Sequence, residues 1–256
     1  MSQEQVQRLK SRMLAQRAEL DLLRDFSRSP FPDIELPQRV QDVIAAVRAE
    51  SLTYLKEADL RLLAELVVEA EQAERGGIVI ECGTALGGSA IVMAAAKDAG
   101  RPMRVHDVFG MIPAPTKEDG RDVHDRYETI ARGESRGLGG GEYYGYRQDL
   151  LGEVTDSFRR HGVPVASSGV ELVRGLFEDT LHVDEPVALA HLDGDWYAST
   201  KVCLERIVPH LVPGGRLVLD DYYHWSGART AVDEYFEGRS GFRVEHRAKV
   251  HVVAEG

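Results

Sequence analysis

From Gly77 onward, short uninterrupted apolar runs alternate with stretches of helical spacing, and few folds accommodate that alternation. The runs are "GIVIE", "MRVHDVF", "VELVRGLF", "VALAHLDGD" and "GRLVLDD". They are rich in β-branched residues and continuous rather than alternating, as strands buried on both faces must be. Between them lie "SAIVMAAAKDA", "LLGEVTDSFRRHG" and "STKVCLERIVPHL", each with the periodicity of a helix. Strand–helix–strand units of this kind cross over right-handed and build a doubly wound sheet. The closing "FRVEHRAKVHVVAE" reads as two strands in quick succession, an antiparallel pair. The expected fold is therefore α/β, with a mostly parallel seven-stranded Rossmann-like sheet. Ligands of such sheets collect beyond the C-terminal ends of the strands.

The first 76 residues follow a different pattern. Val6, Leu9, Met13, Leu20 and Leu23 form one apolar helical stripe, "SRSPFPDIELP" breaks it, and "RVQDVIAAVRAE" and "EADLRLLAELVVEAEQA" resume helical spacing. An N-terminal helical arm or lid over 1–76 is expected, packed on the domain at 77–256 or on a second subunit, which makes a dimer plausible. One segment, Pro113 to Asp149, fits no strand–helix unit. It is polar and glycine-rich, with Tyr143, Tyr144 and Tyr146 beside "GLGGG", and reads as a mobile flap with an aromatic face.

Composition narrows the partners. The 256 residues are 43% hydrophobic and 29% charged, with a net charge of −11. A nucleic-acid surface would be basic, so that partner class is excluded. No run approaches the roughly 18 apolar residues of a membrane span, and "MSQEQVQRLKSRM" has no apolar signal core. Cys82 and Cys203 are too few and too distant for a disulfide framework or zinc cluster, and read as buried small hydrophobes. A reducing cytoplasm is the expected compartment.

"ECGTALGGSA" links the first core strand to the next helix. Glycines allow a sharp turn and bring backbone N–H groups near a ligand at the positive end of a helix. The spacing of Gly83, Gly87 and Gly88 is neither the dinucleotide G-x-G-x-x-G nor a phosphate loop with its lysine, which disfavours a nicotinamide oxidoreductase. Glu81 would repel a pyrophosphate but suit an ammonium group, so Glu81, Gly83, Thr84, Gly88 and Ser89 are candidates to hold an amino-acid-bearing nucleoside such as S-adenosylmethionine. Asp107, closing the second run, is placed to accept ribose hydroxyls. Asp179 in "GLFEDTL" is placed to meet an adenine amine.

Two acidic pairs end two buried runs: Asp193 with Asp195, and Asp220 with Asp221. Buried like charges are costly, so a positive group is expected between them. Asp193, Asp220 and Asp221 offer only oxygen, which selects a hard ion such as Mg²⁺. Asp195, just before "WYASTKVCLERI", reads as a cap or loop residue. His224, three residues past Asp221, is a candidate base or acceptor contact, and Tyr222, Tyr223 and Trp225 a candidate acceptor wall.

Taken together, "ECGTALGGSA", "HDVFGMIP", "GLFEDTL", "LDGDWYAST" and "GGRLVLDDYYHWSGARTAVDEYF" resemble the macrocin O-methyltransferase family. That family includes the mycinamicin and novobiocin pathway enzymes that methylate deoxysugar hydroxyls. The resemblance runs from Gly77 to Phe236 and is strongest in the last two motifs. It implies a class I methyltransferase fold, S-adenosylmethionine as donor and magnesium as the ion. It also implies Asp193, Asp220 and Asp221 as metal ligands, Asp193 as base, and a small glycosylated or polyhydroxylated acceptor with adjacent hydroxyls. "DVFGMIPAP" and the long flap depart from the family pattern, and they bear on the acceptor. The rival is a metal-dependent catechol-type O-methyltransferase acting on a phenol. Against it, Asp221 stands where that group has asparagine, and no lysine follows Asp193 closely. A pocket kept for binding without chemistry is the third reading, and the intact aspartate trio weighs against it.

Overall fold

Seven strands form one sheet in the computed structural model, which describes residues 34–256. They are β1 (Ile78–Cys82), β2 (Met103–Asp107), β3 (Val170–Arg174), β4 (Val187–Leu192), β5 (Leu211–Leu219), β6 (Phe242–His246) and β7 (Val250–Ala254). Their order is β3-β2-β1-β4-β5-β7-β6, with the first five parallel and β7 antiparallel to both its neighbours. The doubly wound, mostly parallel sheet read from the sequence is what the chain builds. The stripe from Val6 to Leu23 lies outside the described residues.

The helices are α1 (Gln38–Ala49), α2 (Glu57–Gln72), α3 (Gly88–Ala96), α4 (Arg121–Ala131), α5 (Leu150–Arg160), the short α6 (Phe177–Thr180), α7 (Tyr197–Ile207) and α8 (Ser226–Phe236). Strand alternation sorts the core into two layers. Val79, Met103, Val105, Leu189 and Val218 face α1, α2, α3 and α5 in one apolar cluster. Ile78, Ile80, Cys82, Ala190, Leu192, Leu217 and Leu219 face Cys203, Leu204 and Ile207 of α7 in the other. Every residue of α3 is buried, which explains its uniformly apolar sequence: the sheet lies on one side of it and α1 with α2 on the other. The described part of the N-terminal section is thus a helical layer of the same core. Both cysteines are free and buried. Among the described residues, no helix is long and apolar enough to cross a membrane.

The segment from Pro113 to Asp149 is more ordered than its glycines suggest. It carries α4 and helical turns at Leu138–Gly140 and Tyr144–Tyr146. Val123, Ile130 and Tyr143 bury against Ile112 and Trp196 in a third small core. Two of its acids bond to the helices that follow the acidic turns. Asp119 Oδ1 accepts the N–H of Tyr197, the first residue of α7, at 2.8 Å. Asp122 accepts the N–H of Ser226, the first residue of α8, at 2.9 Å. Both satisfy donors that a helix N-terminus leaves orphaned.

Candidate active site

Register builds the site. Cys82 pairs with His106 on one side and Leu192 on the other, and Leu192 pairs with Leu219. The next residue of each strand therefore comes level with its neighbours, and Asp107, Gly83, Asp193 and Asp220 form a row along the C-terminal rim. A cavity of 1360 Å³ opens above this row. That exceeds the roughly 300–1,000 Å³ usual for one small ligand, so it has room for two. Gly83 has φ +85°, and a Cβ there would lie 1.9 Å from the Asp193 carbonyl oxygen. Only glycine lets the two crossover loops meet so closely.

On the β1–β2 side, Asp107 is buried and lines the cavity. Its Oδ2 accepts the N–H groups of Thr84 and Ala85 at 2.8 and 3.3 Å, and its Oδ1 that of Phe109 at 2.7 Å. It fastens the glycine loop and still presents lone pairs to the cavity. Burial pushes its carboxyl above the ordinary value, against the pull of these N–H groups. Gly88 and Ser89 stand behind the loop: the Gly88 N–H donates to the Leu52 carbonyl at 3.0 Å, and a Cβ on Gly88 would lie 2.7 Å from Thr53 Cβ. They hold the loop against the α1–α2 connection and are not on the cavity wall. Two buried atoms near the loop have no hydrogen-bond partner, Thr84 Oγ1 and Glu81 Oε2. Orphaned polar atoms at a cavity are what a polar ligand would satisfy. Asp179 is exposed on α6 and lies outside the lining.

The β4–β5 side carries the charge. Oxygens of Asp193, Asp195 and Asp221 lie within 4.8 Å of one another. Burial, then the charges of Asp220 and Asp221, push Asp193 well above the carboxylate range. Burial, Asp195 and Asp220 do the same to Asp221. Burial and the Asp193 charge push Asp195 up to about 8. Asp195 has φ +59°, donates its N–H to Asp221 Oδ2 at 2.8 Å, and accepts from Trp225 Nε1 at 2.9 Å. Asp220 behaves differently. Lys249 Nζ lies 2.7 Å from its Oδ1 and His191 Nε2 3.7 Å from the same atom. Burial would raise Asp220, but these two partners outweigh it and hold it at about 2. His191 Nδ1 in turn meets Glu81 Oε1 at 2.9 Å, so a buried chain of alternating charge runs Glu81–His191–Asp220–Lys249. Despite the burial that opposes it, Asp220 and Glu81 raise His191 to about 10.

Aromatic groups close the cavity. Trp196 and Trp225 meet edge to face at 5.6 Å, and Tyr143, Tyr144 and Tyr54 continue the wall. Tyr222, Tyr223 and His224 line it beyond Asp221. Arg126 lines it too, its guanidinium 5.7 Å from the Tyr143 ring centre.

The cavity thus gathers Gly83, Thr84, Asp107, Asp193, Asp220, Asp221 and His224 of the residues singled out from the sequence, while Glu81 lies behind the wall. Reasoning from sequence read Asp195 as a cap or loop residue, and with φ +59° it is a loop residue, but its carboxylate also joins the cluster. It missed Lys249 because that residue reaches Asp220 only through the antiparallel pairing of Leu219 with Val250. Nothing in the local sequence announces this pairing.

An all-oxygen donor set of three or four carboxylates, mutually repelling, fits a hard divalent cation. The orphaned Thr84 oxygen, on a residue of the cavity wall, fits a polar ligand beside it.

The profile of the macrocin-O-methyltransferase (TylF) family matches residues 38–243. A tetracenomycin-C rhamnosyl 4'-O-methyltransferase of Streptomyces olivaceus is 34% identical over 173 residues, 64% of this chain and 59% of that protein. Demethyldecarbamoylnovobiocin O-methyltransferase of Streptomyces niveus is 29% identical over 171 residues, 62% of this chain and 58% of that one. The chain therefore spans less than two thirds of these relatives' length. Among solved structures, the O-methyltransferase NovP superposes with a TM-score of 0.65 at 23% identity, covering 80% of this chain and 82% of its own. The calicheamicin methyltransferase CalS11 gives 0.56 at 17%, covering 93% and 91%. At these identities the structural likeness establishes the fold.

Proposed function

This chain belongs to the macrocin O-methyltransferase family, and on that premise we propose that it transfers the methyl group of S-adenosylmethionine to a hydroxyl of a deoxysugar on a natural product. The names of its relatives, a rhamnosyl-tetracenomycin 4'-O-methyltransferase and O-methyltransferases of novobiocin and mycinamicin type, support that acceptor class. The observation that carries the reading is the row of rim residues with a loop for the donor at one end and a carboxylate wall at the other.

Gly83, Thr84 and Asp107 would hold the donor, Asp107 with lone pairs free for a ribose hydroxyl. When bound, the donor would supply an electrophilic methyl group, and a divalent cation that Asp193, Asp220 and Asp221 would hold would supply positive charge to ease deprotonation of an alcohol. Adjacent hydroxyls of the acceptor suit such a cation, which favours a vicinal diol. The protein's own contribution is mainly positioning, worth up to roughly 7–11 kcal/mol when reactants are held in a near-attack pose. The wall of Trp196 and Trp225 and the tyrosines excludes water from that pose. A proton acceptor adds on the order of 10²–10⁴-fold. Asp193, His224 and, from its place in the carboxylate cluster, Asp195 stand on the acceptor's side of the cavity. Of the three, Asp195 is held in orientation by the Trp225 indole N–H.

A methylation assay over glycosylated aglycones, with S-adenosylmethionine and Mg²⁺ or excess EDTA, tests the proposal. Methylation of a sugar hydroxyl that EDTA abolishes is expected. Undiminished turnover in EDTA would remove the cation from the reading, and S-adenosylhomocysteine failing to bind would remove the reading altogether.

A further inference from the structure

Asp220 already has a cation. Lys249 Nζ lies 2.7 Å from its Oδ1 and 3.4 Å from its backbone oxygen, and the lysine is only 7% exposed. His191 flanks the same carboxylate, whereas Asp193, Asp195 and Asp221 have chiefly one another. The pairing is fixed by register, since Val250 opposite Leu219 sets Lys249 beside Asp220. A divalent ion and an ammonium at one carboxylate oxygen repel strongly at a separation of a few ångströms. Lys249 also lines the open cavity, so an ammonium leaving Asp220 has space to enter.

We propose that Lys249 is the resident counter-ion of Asp220, a tethered ammonium that a divalent cation must displace before Asp220 can join Asp193 and Asp221. This deepens the cation reading above and rests on it. The lysine offsets one of the rim's carboxylate charges without the ion, and it sets how tightly the ion is held. It is a positioning residue, acting through Asp220.

Binding of Mn²⁺ to the full chain, followed by the paramagnetic resonance of the free ion, tests this without turnover. Lys249→Met should bind Mn²⁺ more tightly by on the order of tenfold, since one opposing charge is gone. Lys249→Gln, which keeps a donor but no charge, should do the same if the methionine variant fails to fold. Lys249→Arg should stay within about threefold of wild type, because its charge remains. In an Asp220→Asn background the gain from Lys249→Met should shrink to less than about threefold, as a shared contact requires. Calorimetric binding of S-adenosylhomocysteine confirms that each variant is folded. Unchanged or weaker Mn²⁺ binding by both uncharged variants overturns the inference and leaves the cation reading standing. Wild type that binds S-adenosylhomocysteine but not Mn²⁺ overturns both.

Discussion

Asp195 shows how a single residue's chemistry depends on its neighbours. Its carboxyl rises from 3.8 to about 8, first through burial and then through Asp193. A carboxyl raised in the fold contributes stability that is full below its unfolded value and lost as pH climbs towards the folded one. Metal-free protein should therefore lose stability between about pH 4 and pH 8 through this group. Asp195→Asn should melt higher than wild type at pH 8, by about 2–8 °C, with a smaller gain near pH 4.5. Equal gains at both values would refute the assignment. In turnover the same variant should lose about 10²–10⁴-fold in rate while its affinity for S-adenosylhomocysteine stays within about threefold. His224→Ala, compared beside it over pH, separates His224 from Asp195 among the three candidates: whichever of the two variants flattens the ascending limb of the rate profile marks the base, and neither doing so leaves Asp193.

Among the elements, the segment between β2 and α5 matters more than its composition suggests. Asp119 and Asp122 cap α7 and α8, the helices that leave the two acidic turns. Asp119→Ala should cost about 0.5–2 kcal/mol, the ordinary worth of a cap, measurable by urea unfolding. It should also slow methylation more than it weakens donor-product binding, because the cap holds the helix that follows Asp193 and Asp195. Loss of donor binding alone would show that the segment serves the other ligand. Gly227→Ala probes the same junction by crowding, since its Cβ would lie 2.0 Å from Asp119 Oδ1. The glycine loop has its own sensitive point. Gly83→Ala combines an unfavourable φ with a clash against the Asp193 carbonyl, and should destabilise the chain by more than about 2 kcal/mol by urea unfolding. A tolerated alanine there would mean that the β1 and β4 loops do not meet.

For the whole molecule, ligands should bind the folded state alone. S-adenosylhomocysteine at about 100 times its Kd should add about 2.7 kcal/mol of stability, and NAD none. A melting temperature indifferent to S-adenosylhomocysteine, or raised by NAD, would contradict the assignment of the cavity.

What the sequence determined by itself was the set of elements and the residues at their ends. Short continuous apolar runs rich in β-branched residues read as buried strands, and a polar residue following such a run comes to the surface at a rim. Asp107, Asp193 and Asp220 were legible for that reason, as was the loop at Gly83, whereas Glu81 lies within β1 and is buried. The pairing of those ends was decided by tertiary structure, because register is set by cooperative packing of two faces and is written in no local pattern. Opposing Leu219 to Val250 brought Lys249 to Asp220, and opposing Glu81 to His191 tied an expected ligand residue into a buried ion chain. The same packing turned a glycine-rich stretch into a cap for two helices, since the acids that do it meet their partners about 78 and 104 residues along the chain.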